Sequence, residues 1–192
     1  PDRVLYPEQG LTKRDMADYY QRVADRILPH VVGRPLSVVR CPQGREGQCF
    51  YQKHVTEHLP PAIRGIRIRE RGATRAYFAI DDLAGLISLV QIGVLEIHAW
   101  GSREEDLEHP DRLVFDLDPG PEVEWREVVQ AARLVREALS HHQLESFVKT
   151  TGGKGLHVVA PIVPGPDWEQ VKEFTKAVAM TIAKQRPEQY TA

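Results

Sequence analysis

Two carboxylates close an apolar run in Leu113-Val114-Phe115-Asp116-Leu117-Asp118-Pro119-Gly120. Read as a strand, its side chains alternate, so Phe115 and Leu117 point to a core while Asp116 and Asp118 share the other face. Pro119 and Gly120 end the strand and leave Asp118 at its rim. Like charges held side by side repel, and a divalent cation between them removes that cost. A strand end with two solvated acids has the same pattern, and Asp-x-Asp alone does not choose between the two.

A second stretch bears on that choice. Ser146-Phe147-Val148-Lys149 predicts a strand that turns through Thr150-Thr151-Gly152-Gly153-Lys154-Gly155 and leaves as Leu156-His157-Val158-Val159-Ala160. Glycines let a backbone approach an anion with its amides exposed, and a lysine among them adds a point charge. The spacing is not that of a P-loop, and a strand rather than a helix follows. Thr151, Lys154 and His157 could converge on a phosphate, or the segment could be a plain hairpin turn with Lys154 solvated. Metal-binding acids with a phosphate cradle point to phosphoryl or nucleotidyl transfer, where cations neutralise the triphosphate and the charge on attacking and leaving oxygens. The α-phosphoryl group would then sit over Asp116 and Asp118, with the β- and γ-phosphates on the cradle.

The elements that must position these residues read as follows. Val4 to Tyr6 is an apolar entry, and Thr12 with Asp15 forms an acidic capping box. Met16, Tyr19, Tyr20, Val23, Ala24 and Ile27 predict one buried helical stripe, ended by Pro29. Lys13 and Arg14 oppose the dipole of that helix at its start, either as solvated charges or to hold an anion. Leu36 to Arg40 predicts a strand, and Cys49 to Lys53 another. One of Phe50 and Tyr51 could stack on a base beside Lys53, or both rings could pack internally. Ile66 to Glu70 and Ala76 to Ile80, joined at Arg71-Gly72, predict an antiparallel hairpin with a basic outer face. Asp81 or Asp82 caps a helix that Gly93 stops, and Val94 to Trp100 is a strand with His98, structural or functional, near its exit. Trp125, Val128, Val129, Ala132, Val135 and Leu139 mark a helix over 123–141; Asp167 caps another carrying Trp168, Val171, Phe174, Val178 and Ile182. Strands with helices between them predict an α/β (α+β) mixed-sheet core flanked by helices, with a small basic module beside it.

At 192 residues, 42% hydrophobic and 27% charged, the chain suits one globular domain or two small lobes sharing a core. A net charge of −2 excludes a wholly basic nucleic-acid coat but leaves room for local basic patches. No apolar run approaches the roughly 20 residues that cross a bilayer, so no membrane partner is expected. Cys41 and Cys49 are read as reduced thiols of a cytoplasmic protein. A start at Pro1 without Met is expected of a piece of a longer chain.

Val114 to Gly120 and Ser146 to His157 together resemble the polymerase domain of bacterial ligase D, in the archaeo-eukaryotic primase superfamily. Arg3-Val4-Leu5-Tyr6-Pro7, Leu11-Thr12-Lys13, Phe50-Tyr51-Gln52-Lys53 and Leu95-Glu96-Ile97-His98 follow the same pattern in the same order. The resemblance covers nearly the whole chain and implies a primase-polymerase-like fold. It implies metal-dependent primer extension or gap filling on broken DNA during non-homologous end joining, favouring ribonucleotides and active with Mn2+ or Mg2+. It assigns Asp116 and Asp118 to the catalytic metals, and His98, Thr151, Lys154 and His157 to the incoming nucleoside triphosphate. Phe50 and Tyr51 would stack near nucleotide and template, Lys53 would touch DNA or nucleotide, and Arg3 and Lys13 would hold the 5′-phosphate of a DNA end or gap. Expected partners are such DNA ends, Ku and fused ligase or nuclease domains, at the bacterial nucleoid.

The family completes its metal site with a third aspartate on a later strand, and no Asp follows Asp167 here. The expectation is therefore a C-terminally incomplete polymerase domain over 1–192, lacking C-terminal strands and impaired on its own. Two other classes compete. A haloacid-dehalogenase-like phosphatase also carries Asp-x-Asp at a strand end, but expects Thr or Val where Gly120 stands and a motif near the N-terminus. A non-catalytic module binding 5′-phosphorylated DNA ends would use Arg3, Lys13 and the hairpin arginines alone.

Overall fold

A computed structural model describes residues 2–70 and 72–191, so Arg71 in the expected hairpin turn lies outside the described residues. The chain divides into two compact units, Pro1–Glu105 and Asp106–Ala192, each with a hydrophobic cluster of its own rather than one shared core. Runs of strands are separated by helices as expected, and the strand pairings among the described residues are antiparallel. No helix among the described residues is long and apolar enough to cross a membrane.

The first unit opens with the short hairpin β1 (Val4–Tyr6) and β2 (Leu11–Thr12), which leads directly into α1 (Lys13–Arg22). The capping box forms: Asp15 N–H donates to the Thr12 hydroxyl oxygen, and the Asp15 carboxylate accepts the Thr12 amide proton at 2.8 Å. One expectation fails here. The helix breaks at Val23 and restarts as α2 (Ala24–Val31), which contains Pro29 instead of ending before it. Proline costs the amide bond it cannot donate, but α2 is so short that the loss is a single bond and the helix runs on to Val31. The expected buried stripe is only partly buried, because Ala24 is covered while Tyr19 is 53% exposed.

A five-stranded sheet follows. Its strands are β3 (Leu36–Arg40), β4 (Phe50–Gln52), β5 (Arg64–Glu70), β6 (Ala73–Ala79) and, after helix α3 (Leu83–Gln91), β7 (Val94–Ala99). β3 is the hub, pairing with β4, β6 and β7. Its Leu36 and Val38 join Phe78, Ile80, Leu86 and Leu89 in the core. Asp82 caps α3 by accepting the Gly85 amide, and Gly93 with φ +83° turns the chain into β7.

The Cys41–Cys49 reading is corrected: the two sulfurs form a disulfide. Arg40 and Phe50 are the last register partners of β3 and β4, so the cysteines are the next residues outward on facing strands. That hairpin register, not their spacing in sequence, brings them together.

Arg64 clamps this unit by donating to both oxygens of Asp81 and both of Glu104, at 2.7–2.8 Å. The guanidinium holds the Asp81 carboxyl below the usual carboxylate range. Because the folded value is depressed, the stabilisation is present above the unfolded pKa and disappears as pH falls through the folded one. Arg64→Met should therefore lower stability near neutral pH by about 1 kcal/mol or less, Asp81 being largely solvent-screened. The gap between variant and parent in urea unfolding should close below about pH 4; a gap unchanged at low pH would contradict the ion-pair account.

The second unit is a three-stranded sheet in the order β8 (Arg112–Leu117), β10 (Leu156–Pro161), β9 (Phe147–Thr150). One face packs on α4 (Trp125–His141) and α5 (Trp168–Gln185) through Leu113, Phe115, Leu156, Val158, Val135 and Leu139. Trp125, expected in the buried stripe of α4, stands 53% exposed because the helix begins at that residue and the covered turns start at Val128. The other face of the sheet is open.

Candidate functional site

The open face carries the acidic pair. Strand alternation buries Leu113 and Phe115 and leaves Asp116 exposed; Asp118, one residue beyond β8, is exposed as well. β10 is the centre strand, and its register sets His157 opposite Asp116. Their side chains meet, with His157 Nε2 3.2 Å from Asp116 Oδ1.

The glycine-rich segment is the loop of the β9–β10 hairpin. Gly152 takes φ +84°, a conformation open to glycine, and the Thr151 hydroxyl donates to the Gly155 carbonyl at 3.2 Å across the loop. Thr151 thus braces the turn from inside. Lys154 is exposed and forms no ion pair among the described residues. Gly155 explains why the motif must end in glycine. A Cβ there would lie 2.7 Å from the Leu117 carbonyl oxygen and 3.1 Å from Asp118 Oδ1, so the loop can press against the acidic strand only without a side chain. Asp116, Asp118, His157 and Gly155 thus lie together at one end of the sheet, with the Thr151–Lys154 turn beside them.

Among the described residues no three His, Cys, Asp or Glu side chains group to hold a metal ion. The two carboxylates supply hard oxygen donors on an exposed face, which fits Mg2+ or Mn2+ in donor chemistry and leaves room for further ligands.

The remaining site residues lie in the first unit and form a cationic corner and an aromatic strand. Arg3 donates to the Pro42 carbonyl, Lys13 Nζ to the Gln91 carbonyl at 2.7 Å, and Arg40 Nε to the Ile92 carbonyl at 3.1 Å. Three cations thus gather about the end of α3 and the Gly93 turn. Partial burial, then the charges of Arg3 and Arg40, lower the Lys13 pKa. An ammonium so placed among like charges favours an anion beside it. Arg40 was missing from the sequence reading, because only the pairing of β3 with β4 and β7 brings it to this corner; nothing in the local pattern marks it. Arg14, the other cation at the start of α1, pairs with Asp2 instead, at 3.3 Å.

Phe50 and Tyr51 are both solvent-accessible, at 42% and 53%, so neither is core packing. The Arg40 guanidinium lies over the Phe50 ring, 5.5 Å from its centroid, and Tyr51 meets His98 edge-on at 5.7 Å. His98 Nε2 also lies 3.2 Å from Glu96 Oε2. Lys53, just past β4, is exposed.

Comparison with known proteins matches this arrangement to one family. A family model described as the LigD primase-polymerase domain matches residues 12–192. A multifunctional non-homologous end joining protein LigD from Pseudomonas aeruginosa is 34% identical over 192 residues, all of this chain but 23% of that protein. A multifunctional non-homologous end joining DNA repair protein LigD from Mycobacterium tuberculosis is 36% identical, across 97% of this chain and 26% of its own length. Among solved structures, the polymerase domain of Mycobacterium tuberculosis ligase D in complex with DNA superposes with a TM-score of 0.89 at 35% identity, over 97% of this chain and 68% of that one. With a family model spanning residues 12–192 and relatives 34–36% identical across nearly the whole chain, the chain belongs to the LigD primase-polymerase domain family.

Proposed function

We propose that this chain carries the nucleotide-adding part of non-homologous end joining: metal-dependent extension of a primer, or filling of a gap, at a broken DNA end. The observation that carries this reading is the contact of the glycine loop with the acidic strand, with Gly155 against Asp118 and His157 on Asp116. A carboxylate pair and a phosphate-binding loop in contact are what nucleotidyl transfer needs. Asp116 and Asp118 would hold Mn2+ or Mg2+, which when bound supplies charge neutralisation for the triphosphate and the attacking and leaving oxygens. Lys154 and His157 would hold the phosphates of a nucleoside triphosphate, preferentially a ribonucleotide, with Thr151 keeping the loop in shape. In the first unit, Arg3, Lys13 and Arg40 would take the 5′-phosphate of a DNA end; Phe50, Tyr51, Lys53 and His98 would face base and nucleotide. Ku and covalently joined ligase or nuclease domains are the partners this role calls for.

The non-catalytic end-binding reading has one observation in its favour: the cationic corner is built entirely within the first unit. A single binding series tests both readings. Gapped DNA with a 5′-phosphate should bind about ten- to a hundredfold more tightly than the same DNA with a 5′-hydroxyl, the scale of charge-assisted bonds to a dianion. Arg3→Ala with Lys13→Ala should erase the difference. Equal affinities in the parent at moderate salt would remove the 5′-phosphate site, since general backbone attraction does not distinguish the two DNAs. Mn2+-dependent nucleotide binding, absent from a pure end-binding module, separates the two readings.

A further inference from the structure

We infer that Lys149 is a specificity residue that reads the terminal phosphate of a nucleoside triphosphate, an inference that rests on the nucleotide site proposed above. His157 has a register partner on each side: Asp116 in β8 and Lys149 in β9. Neighbouring strands lie about 5 Å apart, and cross-strand partners share a face. Carboxylate, imidazole and ammonium therefore stand in one row across the open face, spanning about 10 Å between the outer two backbones. On the opposite face Phe115 and Val158 are buried against the helices while Val148 of the edge strand is exposed, so the row lies on the face turned away from the core.

The charges along the row are unevenly matched. Asp116 and His157 are in contact at 3.2 Å, whereas Lys149 is exposed and forms no ion pair among the described residues. The adjacent row, Val114, Val159 and Phe147, is apolar and offers it no counter-charge. At the other end of the strand the hairpin presents Lys154, again unpaired. An anion anchored at the Asp116 end and running past His157 meets a lysine just where its last charges would fall. A linear polyphosphate has that shape. With its α-phosphoryl group at the carboxylates, only the most distant phosphate extends to Lys149, so the lysine separates triphosphates from diphosphates. A lysine on an edge strand also deters edge pairing, and that ordinary role predicts no nucleotide effect.

Calorimetric titration of ATP and ADP with Mn2+ into the parent, Lys149→Ala and Lys149→Arg separates these roles. The parent should bind ATP more tightly than ADP. Lys149→Ala should weaken ATP binding about tenfold, the low end for an exposed charge-assisted contact, leave ADP unchanged, and so abolish the preference. Lys149→Arg, which keeps the charge, should restore most of it. Unchanged ATP affinity in Lys149→Ala, or equal losses for ATP and ADP, would overturn the assignment while leaving the nucleotide site standing. A parent that binds neither nucleotide would overturn the site and the assignment together. The residue is exposed on an edge strand, so circular dichroism should show the variants as folded as the parent.

Discussion

In a protein context that supports primer extension, Asp116→Ala should abolish metal-dependent nucleotide addition, lowering kcat by about a thousandfold or more, while binding of 5′-phosphorylated gapped DNA stays within about twofold. A thousandfold corresponds to about 4 kcal/mol of transition-state stabilisation, within what a bound cation supplies to a phosphoryl group. The effect should be chemical rather than structural. Asp116 lies on the open face of β8, its core-facing neighbours Phe115 and Leu113 are untouched, and its recorded ion pair is with His157 alone. Asp116→Asn sharpens the point, since it keeps shape and hydrogen bonding but loses the charge that a cation needs; it should be nearly as inactive as the alanine variant. Single-turnover extension of a gapped primer with Mn2+, beside an equilibrium binding assay on the same DNA, measures both halves. Turnover retained by either variant would rule out a metal role for Asp116. Loss of DNA binding in parallel would show a folding defect instead.

Much of this site was visible in the residues because its signals are local. Alternation over 113–118 put the two acids on one face, and the glycines of 152–155 marked a tight, backbone-exposing turn. The Thr12–Asp15 and Asp167–Gln170 caps fixed where helices begin, although only the first was read as a box. What stayed hidden depends on strands that meet across long stretches of chain. Cys41 and Cys49 become neighbours through the β3–β4 register, Arg40 reaches Lys13 through the place of β3 in its sheet, and Lys149 joins Asp116 only across β10. Local pattern also overstated burial at helix beginnings. Trp125 has the right spacing for the stripe of α4, yet as the helix's first residue it lies beyond the sheet-facing turns. Tyr19 fits the stripe of α1, but that helix buries none of its residues fully, so periodicity there marked a half-covered surface.

Phe78→Ala should destabilise the protein by about 3–5 kcal/mol, the largest stability loss expected of any single truncation here. Phe78 is fully buried, and it lies where three strands come together: register partner to Leu36 in β3 and to Gly65 in β5. Its amide also donates to the Lys53 carbonyl just past β4, so its backbone ties the aromatic strand to the sheet. Removing the ring leaves a cavity among Leu36, Ile80, Leu86 and Leu89, residues that strands and α3 hold too firmly to collapse fully. Against a typical total of about 5–15 kcal/mol, that loss is a third or more of the stability. Thermal unfolding should shift down by about 10 °C or more. Phe50→Ala, at an exposed ring, is the control and should move stability by less than about 1 kcal/mol. The consequence for function follows from the same packing. The Gln91 and Ile92 carbonyls that hold Lys13 and Arg40 sit at the end of α3, and α3 is anchored to the sheet through this core. Near its lowered melting point, Phe78→Ala should therefore lose the 5′-phosphate preference, as the end of α3 that holds Lys13 and Arg40 loosens. A Phe78→Ala protein as stable as Phe50→Ala would contradict the core described here.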